Sequence, residues 1–347
     1  MCGQRLIQRK YNSNDQNQTN YVTKTIINVT AAVIVKNGKV LAARRGPGKH
    51  LEGYWEFPGG KLEENETPEE CLERELTEEF SISSTVGAYI GESVYDYGEK
   101  IVRLLGYEVQ HTAGEFELVD HDELRWLEVD QLADVEWAPA DIPLVDQYKA
   151  IAATEAYYAA NAQAYCAETR VFDVGDLYRP FLDQLADDAH ILELGCGSGR
   201  DSKAFMDMGY IVTPVDGNAE VAACAEQYLR RPVAVTTFQT LDYHNAFDGV
   251  WASASLLHCP RPQLPDVLTR ISQALKGGGV AYLSFKWGDA DSVDDRGRHF
   301  TNFTEDSLKG LLGTLTDFTI IKIWTETKPL RDGDQQWVNA LVRKLAR

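Results

Sequence analysis

The chain lacks long apolar runs, paired cysteines and an excess of positive charge. No apolar stretch approaches the roughly 20 residues that cross a bilayer, and the first residues are polar, so we expect neither a membrane anchor nor a signal peptide. The six cysteines are scattered without a CxxC pair. This pattern predicts reduced thiols in a cytoplasmic protein rather than a disulfide framework or a zinc site.

The charge balance is acidic. Lysine and arginine total 34 against 53 aspartates and glutamates, which gives a formal net charge of −19. Proteins that bind nucleic acids in general need a cationic surface, so we expect no direct nucleic-acid binding. Nucleotides are not excluded, because a metal ion and a few arginines suffice for their phosphates.

Length and composition indicate two soluble globular domains. The chain has 347 residues, 44% of them apolar and 25% charged, which is too long for one ordinary core. Residues 1–24 are polar and rich in Asn and Gln, which predicts a disordered tail. We place a first domain at residues 25–150 and a second at 151–347. The alanine-rich stretch 144–160 between them is free of Gly and Pro and predicts a helical link.

The most informative segment is an acidic helix. Thr67, Pro68 and Glu70 form an N-cap, a first-turn proline and a capping-box glutamate, which together start a helix. A set of three glutamates at i, i+3 and i+4 then shares one face of it, namely Glu75, Glu78 and Glu79. Such close like charges favour a divalent cation as counter-ion, and oxygen-only ligands favour Mg²⁺ or Mn²⁺.

The alternative is a solvated acidic helix, as most glutamate-rich segments are. That interpretation leaves unexplained the Gly59-Gly60 turn, Arg74 and the interval from Gly60 to Glu66. With those residues the segment resembles the Nudix box. Ser81 stands where the box usually has glycine. This position follows the helix end, where a left-handed conformation is favoured, so we expect a local cost in stability and no lost metal ligand.

Residues 25–150 resemble the MutT-type nucleoside triphosphate pyrophosphohydrolases of the Nudix superfamily. The resemblance rests on Arg44-Arg45, on Trp55 to Lys61, on the box, on Asp120-His121-Asp122 and on Ala138 to Pro143. It implies an α/β fold, the Nudix α/β/α sandwich, and hydrolysis of a nucleoside triphosphate to monophosphate and pyrophosphate.

The resemblance also implies roles for single residues. Glu75, Glu78 and Glu79 hold the metal together with the Gly59 carbonyl, and Asp120 joins the metal or acts as base. Glu75 is the other candidate base, and Arg74 belongs with the catalytic groups. The implied substrate-binding residues are Arg45 on a phosphate, Phe57 in the base pocket and Asp141 at the base edge.

Some of these assignments have plain alternatives. Asp120 alone is also typical of a surface carboxylate, and Asp141 of a helix cap. Arg44 is predicted to make a surface ion pair. The base stays open between an oxidised purine such as 8-oxo-dGTP and a cytidine triphosphate, because an aspartate serves the first when protonated and the second when ionised.

The second half carries a glycine-rich turn. An apolar strand, Ile191 to Leu194, runs into Gly195-Cys196-Gly197-Ser198-Gly199, and a second strand ends at Asp216. An acid about 20 residues beyond such a turn can hold ribose hydroxyls, which favours a nucleotide-like cofactor. The alternative is a glycine turn in an unrelated βα unit.

This half resembles the class I S-adenosylmethionine-dependent methyltransferases, which implies a Rossmann-like doubly wound fold. The implied cofactor-binding residues are Glu193, Gly195, Gly197, Gly199, Asp216, Phe238 and Gln239. The resemblance also implies a final antiparallel hairpin near 319–324 and 337–342. Cys196 is interpreted as a packing residue, and His258 either as a base for the methyl acceptor or as a structural histidine.

No Asn-Pro-Pro-Tyr-like amine clamp and no Pro-Cys nucleophile is present, so a small-molecule methyl acceptor is favoured. We therefore predict a bifunctional enzyme, a Mg²⁺-dependent pyrophosphohydrolase joined to an S-adenosylmethionine-dependent methyltransferase. One alternative is a regulatory protein in which one domain binds nucleotide or S-adenosylmethionine without turnover. Another is that the second domain methylates a nucleotide made by the first.

Overall fold

A computed structural model describes residues 24–330 and 333–346, which form two compact units. The first unit holds the described residues up to Val86, Glu92–Leu127 and Ala133–Pro143, and the second holds Gly87–Gly91, Glu128–Leu132 and the residues from Leu144 onward. Residues 1–23 of the predicted tail lie outside the described residues, as does Cys2. The other five cysteines are free thiols, as predicted. Among the described helices none is both long and apolar enough to cross a membrane.

The first unit is built on one six-stranded mixed sheet with the strand order β3-β2-β1-β5-β4, in which β6 also pairs with β2. The strands are β1 (Thr25–Lys36), β2 (Lys39–Arg45), β3 (Trp55–Glu56), β4 (Ser83–Asp96), β5 (Lys100–Ala113) and β6 (His121–Leu127). A two-residue turn joins β1 and β2, with Asn37 and Gly38 both at positive φ. This is the backbone that an Asn-Gly hairpin turn requires.

The predicted acidic helix is α1 (Pro68–Phe80). Its capping box is complete, because the Thr67 hydroxyl accepts from the Glu70 N–H at 3.2 Å and the Glu70 carboxylate accepts from the Thr67 N–H at 2.8 Å. The buried face consists of Cys71, Leu72, Leu76 and Phe80. Burial of this face leaves the glutamates on the remaining surface of the helix.

Helix α2 (Ile142–Thr169) covers the whole of the predicted helical link. The other helices of the second unit are α3 (Gly175–Leu182), α4 (Arg200–Asp207), α5 (Ala219–Leu229), α6 (Leu264–Ala274) and α7 (Glu305–Gly313). Its strands are β7 (His190–Leu194), β8 (Ile211–Asp216), β9 (Ala234–Val235), β10 (Phe247–Ala252), β11 (Leu275–Lys286), β12 (Ser292–Val293), β13 (His299–Phe300), β14 (Phe318–Leu330) and β15 (Gly333–Lys344).

The main sheet of the second unit has seven strands in the order β14-β15-β11-β10-β7-β8-β9. Five neighbouring strands are parallel, namely β11, β10, β7, β8 and β9, and β15 runs antiparallel to both β11 and β14. The chain moves outward from β7 to β9 and then returns to build β10 and β11 on the other side. A reversal of this kind opens a crevice at the carboxyl ends of β7 and β10, where α/β proteins bind ligands.

Helices cover both faces of this sheet. One core cluster packs α6 and α7 residues such as Ile271 and Leu308 against the sheet. The other packs Phe181 of α3 and Phe205 of α4 against Trp251 and Tyr282, whose rings stack at 4.0 Å. The α/β fold class, the doubly wound second half and the final hairpin are therefore confirmed. The Gly277-Gly278-Gly279 run lies inside β11.

The capping box gives the first testable prediction. Replacing Thr67 with Ala removes the acceptor of the Glu70 N–H and should lower the free energy of unfolding of the first unit by about 1 kcal/mol. Urea titration of the full chain measures the loss. Thr67→Ser keeps the hydroxyl and should stay close to wild type, so equal losses in the two variants would contradict the assigned cap.

Candidate functional site

The Gly59-Gly60 turn lies directly against the acidic helix. Its backbone pairs with β1, since the Thr30 N–H donates to the Gly60 carbonyl at 2.8 Å and the Ala32 N–H to the Pro58 carbonyl at 2.7 Å. A Cβ on Gly59 would come within 2.1 Å of the Thr30 carbonyl oxygen, and a Cβ on Gly60 within 2.0 Å of the Glu75 carboxyl carbon. Glycine at residue 59 therefore lets the turn approach β1, and a side chain at residue 60 would force the Glu75 carboxylate to move.

Arg74 is the ion-pair centre of the acidic face. Its guanidinium binds Glu66 through two nitrogens, at 2.8 and 3.1 Å, and reaches Glu75 at 3.0 Å and Glu78 at 3.3 Å. Hydrogen bonds from Arg74 are the main reason that the pKa of Glu66 falls to about 2. Glu66 and Glu75 in turn raise the pKa of Arg74 above its ordinary value. Arg74 therefore keeps Glu66 ionised and holds the neighbouring carboxylates in place.

Glu79 points to a different neighbour. Its side chain is 21% exposed, and one carboxylate oxygen lies 3.9 Å from Nδ1 of His121. Burial raises the pKa of Glu79 to about 7; the His121 charge opposes this rise, and nearby carboxylates, Glu75 first among them, add to it. His121 Nε2 is 2.9 Å from the Glu56 carboxylate, while its buried Nδ1 has no hydrogen-bond partner within the described part of the chain.

Asp120 follows a third arrangement. Its carboxylate pairs with the Lys49 ammonium at 2.7 Å, and its side chain is 40% exposed. The predicted side-chain ligands thus have different neighbours: Arg74 binds both Glu75 and Glu78, His121 lies beside Glu79, and Lys49 pairs with Asp120. Across residues 24–330 and 333–346, no group of three or more His, Cys, Asp or Glu side chains is close enough to hold a metal ion. The structure thus places the acids on one face without drawing them to one point.

The donor set nevertheless fits a hard divalent cation. All the predicted side-chain ligands are carboxylates, which are the oxygen donors that Mg²⁺ and Mn²⁺ prefer. Two local features favour a cation here. Burial raises the pKa of Glu79, and the buried Nδ1 of His121, beside that carboxylate, has no hydrogen-bond partner among the described residues. A cation near Glu79 would reverse the first effect.

Arg45, Phe57 and Asp141 come together around β3. Arg45 pairs with Glu56 and donates to the His50 carbonyl, both at 2.5 Å. Phe57 is buried, with its ring 4.8 Å from that of Trp137. The Asp141 carboxylate accepts the Phe57 N–H at 2.9 Å, so this hydrogen bond goes to another segment and not to the helix that follows Asp141.

The Asp141 carboxyl group is buried. Burial, followed by the negative charge of Glu56, raises its pKa well above the ordinary value, while the Phe57 N–H and Arg45 oppose the rise. Burial therefore favours the protonated form of this carboxyl group, which has one O–H to donate.

Two local predictions are settled by geometry. Ser81 ends α1 in the left-handed conformation, at φ 57°, and its hydroxyl donates to Glu117 at 3.1 Å. Arg44 makes the predicted surface ion pairs, with Asp122 at 2.7 Å and Glu123 at 2.8 Å.

Glu56, His121 and Lys49 have no role in the predictions from the sequence. Glu56 joins Arg45 to His121, and Lys49 holds Asp120. No local sequence pattern marks the contacts of Glu56, because they arise from the pairing of β2 with β3 and β6, which sets Ala43 opposite Glu56 and Arg45 opposite His121.

In the second unit the glycine turn follows β7 as predicted. Gly195 and Gly197 both have positive φ, and a Cβ on Gly195 would lie 2.5 Å from the Ser255 Cβ. Asp216 closes the turn, because its carboxylate accepts the Gly197 N–H and the Asn218 N–H, each at 2.9 Å. Gly199 caps α4, also at positive φ. The turn and the acid that ends β8 therefore form one hydrogen-bonded unit.

The remaining predicted cofactor residues differ in exposure. Glu193 is buried and accepts from the Ser202 hydroxyl, and burial raises its pKa well above the ordinary value. Phe238 is partly buried against the sheet core. Gln239 is also partly buried, and its amide donates to Gln263.

Cys196 packs as predicted, against Ala222, Ala225 and Val233, and burial raises the pKa of its thiol. His258 is held at both ring nitrogens, by the His299 carbonyl and the Tyr158 hydroxyl, each at 2.7 Å. Burial is the main cause that lowers the pKa of His258 to about 3. The imidazole is therefore neutral across the physiological range.

Comparison with known proteins matches each half to a family. Residues 25–148 match the family model described as NUDIX domain, and residues 192–283 that described as methyltransferase domain. The chain is 36% identical over 128 residues to the CTP pyrophosphohydrolase of Escherichia coli K12, covering 37% of this chain and 95% of that relative. It is 42% identical over 82 residues to the 8-oxo-dGTP diphosphatase of Proteus vulgaris, covering 23% of this chain and 73% of that relative.

Among solved structures, a SAM-dependent methyltransferase from Methanosarcina mazei is similar to the second half. The identity is 23%, the match covers 51% of this chain and all of the other, and the TM-score is 0.45.

The raised pKa of Glu79 gives a prediction for the metal-free protein. Ionising this carboxyl group costs more free energy in the folded protein than in the unfolded chain. The stability that the neutral carboxyl group contributes is therefore complete below its ordinary pKa of 4.5 and is lost as the pH rises through about 7. Glu79→Gln should therefore gain stability over wild type between pH 5.5 and pH 8.5, by about 1 kcal/mol after allowing for solvent screening.

Urea titration in the presence of a chelator measures this gain. Glu73→Gln is the matched control, because Glu73 is an exposed glutamate on the same helix. A constant difference between Glu79→Gln and wild type across the pH range would contradict the assignment.

Proposed function

Residues 25–148 belong to the NUDIX family and residues 192–283 form a methyltransferase domain, and from this premise we propose that the protein is a bifunctional enzyme. Its first activity is the Mg²⁺- or Mn²⁺-dependent hydrolysis of a nucleoside triphosphate to monophosphate and pyrophosphate. Its second is methyl transfer from S-adenosylmethionine to a small molecule.

The observation that carries the first activity is the contact between the glycine turn and the acidic ridge of α1. The turn is pinned to β1 by the Thr30 hydrogen bond, and Gly60 touches the carboxyl group of Glu75. This contact supports an arrangement in which the carboxylates of α1 lie beside the backbone of the Gly59-Gly60 turn. The relatives that match most of their own length here carry the names CTP pyrophosphohydrolase and 8-oxo-dGTP diphosphatase.

In this proposal Glu75, Glu78 and Glu79, with the Gly59 carbonyl and Asp120, would hold the cation. When bound, the cation offsets phosphate charge and lowers the pKa of a water ligand. Glu75 or Asp120 accepts the proton of the attacking water. Arg74 keeps Glu75 oriented, because its guanidinium is itself fixed by two bonds to Glu66.

Arg45 and Asp141 are proposed to bind the two ends of the substrate. Arg45 is 27% exposed, and its planar guanidinium suits a phosphate once it exchanges its bonds to Glu56 and His50. Asp141 in its protonated form, which burial favours, donates a hydrogen bond to an acceptor on the base. In its ionised form it would instead accept from the exocyclic amine of a cytosine. The protonated state would suit an oxidised purine, as in the name 8-oxo-dGTP diphosphatase, and the ionised state a cytosine, as in the name CTP pyrophosphohydrolase.

For the methyltransferase, the unit formed by Gly195, Gly197 and Asp216 supports cofactor binding at the carboxyl end of β7. Both carboxylate oxygens of Asp216 accept backbone N–H groups, which fixes their direction. Their remaining lone pairs can accept ribose hydroxyls. The Tyr165 hydroxyl lies close enough to Gly197 that a Cβ there would be 3.2 Å away, so α2 covers the turn.

A regulatory protein is the second candidate for the first half. It is favoured by one observation, that the acids do not converge among the described residues and that three of them already pair with Arg74 or Lys49. Binding without turnover would leave them in that arrangement. Methylation of a nucleotide by the second half remains a weaker proposal, since only the presence of both domains in one chain motivates it.

Hydrolysis is tested with a panel of unmodified and oxidised nucleoside triphosphates, including CTP, dCTP, dGTP and 8-oxo-dGTP, by scoring pyrophosphate release with Mg²⁺. Glu78→Gln should lower kcat/KM for the best substrate about 100-fold or more, because a charged ligand is lost. Glu78 is 61% exposed, so this change should leave folding intact.

Glu73→Gln again serves as the control and should retain full activity. Full pyrophosphate release by Glu78→Gln would remove the catalytic assignment. Nucleotide binding without release by the wild type would instead favour the regulatory candidate.

Cofactor binding is tested by calorimetry with S-adenosylmethionine and the full chain. Asp216→Ala removes the proposed ribose acceptor and should weaken binding at least 10-fold, on the order of the 1.4 kcal/mol of a charge-assisted hydrogen bond. Asp242→Ala, an exposed acid of the same unit, is the control. Undiminished binding by Asp216→Ala would contradict the proposed cofactor site.

A further inference from the structure

Two cations share one aromatic ring in the second unit. The Lys286 ammonium lies 3.3 Å from the centroid of the Phe300 ring, and the Arg298 guanidinium lies 5.2 Å from the same centroid. The His258 ring is also beside Phe300, at 4.8 Å. Cations are attracted to the face of a ring, but like charges brought together on it repel each other.

Lys286 lacks a counter-ion among residues 24–330 and 333–346. Its ammonium makes no hydrogen bond or ion pair with them, although it is partly buried. Burial lowers its pKa, and the charge of Arg298 lowers it further, while Asp294 opposes the change. A lysine in this setting is held at a cost that a bound anion would relieve.

Arg298, in contrast, already has a carboxylate as its counter-ion. Its guanidinium pairs with Asp294 at 2.7 Å and lies over the Tyr157 ring at 4.7 Å. One of its nitrogens also donates to the Tyr158 hydroxyl at 3.4 Å. Because Asp294 balances only one of the two cations, this group of side chains keeps an excess positive charge in an otherwise strongly acidic chain.

The neighbouring histidine does not supply or consume charge. His258 Nδ1 faces the His299 carbonyl and must carry the proton, so Nε2 accepts from the Tyr158 hydroxyl. Tyr158 thus donates to His258 and accepts from Arg298. This fixes the tyrosine as an aromatic wall of the cationic site.

The site lies at the ligand edge of the sheet. Lys286 is the last residue of β11, and His258 follows β10. The glycine turn follows β7, so all three stand at the carboxyl ends of parallel strands, the edge at which α/β proteins bind ligands.

We propose that the methyl acceptor is an organic anion, and that its carboxylate or phosphate group binds between Lys286 and Arg298. This inference rests on the proposed methyltransferase activity and names the class of its acceptor. Phe300, Tyr157 and Tyr158 would contact the apolar part of that molecule, while the two cations select its charge.

The test uses three matched probes on the full chain: benzoate, phenyl phosphate and the neutral benzamide. Binding is measured by calorimetry both with and without S-adenosylhomocysteine. At least one of the two anions should bind about 10-fold more tightly than benzamide, and the stronger of the two identifies the headgroup as carboxylate or phosphate.

Two lysine variants assign that binding to the site. Lys286→Met should weaken the anion about 10-fold, and Lys286→Arg, which keeps the charge, should retain it. Lys322→Met is the matched control, because the Lys322 ammonium also lies over a ring, at 4.8 Å from that of Trp324. A loss in Lys286→Met with binding kept in Lys286→Arg separates the role of charge from a failure to fold.

Equal binding of benzoate, phenyl phosphate and benzamide would overturn the proposal, as would anion binding that Lys286→Met leaves unchanged. A parallel loss of S-adenosylhomocysteine affinity in Lys286→Met would also overturn it, by assigning the lysine to the cofactor. A wild type that fails to bind S-adenosylhomocysteine would instead contradict the methyltransferase function. The titration without that ligand would still measure the anion at Lys286.

Discussion

The first unit depends on the ion pairs that offset the negative charge of the glutamates on and before α1. Glu66, Glu75 and Glu78 all reach the guanidinium of Arg74, which is therefore the internal counter-ion of α1. The pair with Glu66 is bidentate and belongs to the loop before the helix, so Arg74 fixes loop and helix to each other. The chemistry proposed for the ridge requires this order, because carboxylates held by one cation within the chain keep a common orientation toward solvent.

Much of this could be read from the sequence, because the signals are local. The capping box of Thr67 and Glu70, the i, i+3, i+4 glutamates and the Asn37-Gly38 turn are all defined within a few residues. The glycine turn after β7 and the acid that ends β8 are equally local, since one strand, one helix and the next strand set their spacing. In each case backbone geometry alone decides the structure.

The ionic partners could not be predicted in the same way. Glu56, His121 and Glu79 meet only because β2 pairs with β3 on one side and with β6 on the other. The pairing with β6 shifts register between Arg44 and Arg45, opposite Glu123 and His121 respectively, which turns the histidine toward Glu56. A bulge of one residue reverses which side chains face each other, and nothing in the local pattern marks its place. The separate neighbours of Glu79 and Asp120 follow from such register and not from helical periodicity.

The contact between Gly60 and Glu75 gives the glycine an influence on a side chain that is distant in the sequence. An alanine at residue 60 would place its methyl carbon within 2.0 Å of the Glu75 carboxyl carbon, so the carboxylate would have to swing away. The missing Cβ at residue 60 therefore leaves room for the acid fifteen residues further along the chain. A single methyl group in the turn would redirect that carboxylate while leaving its charge and its helix unchanged.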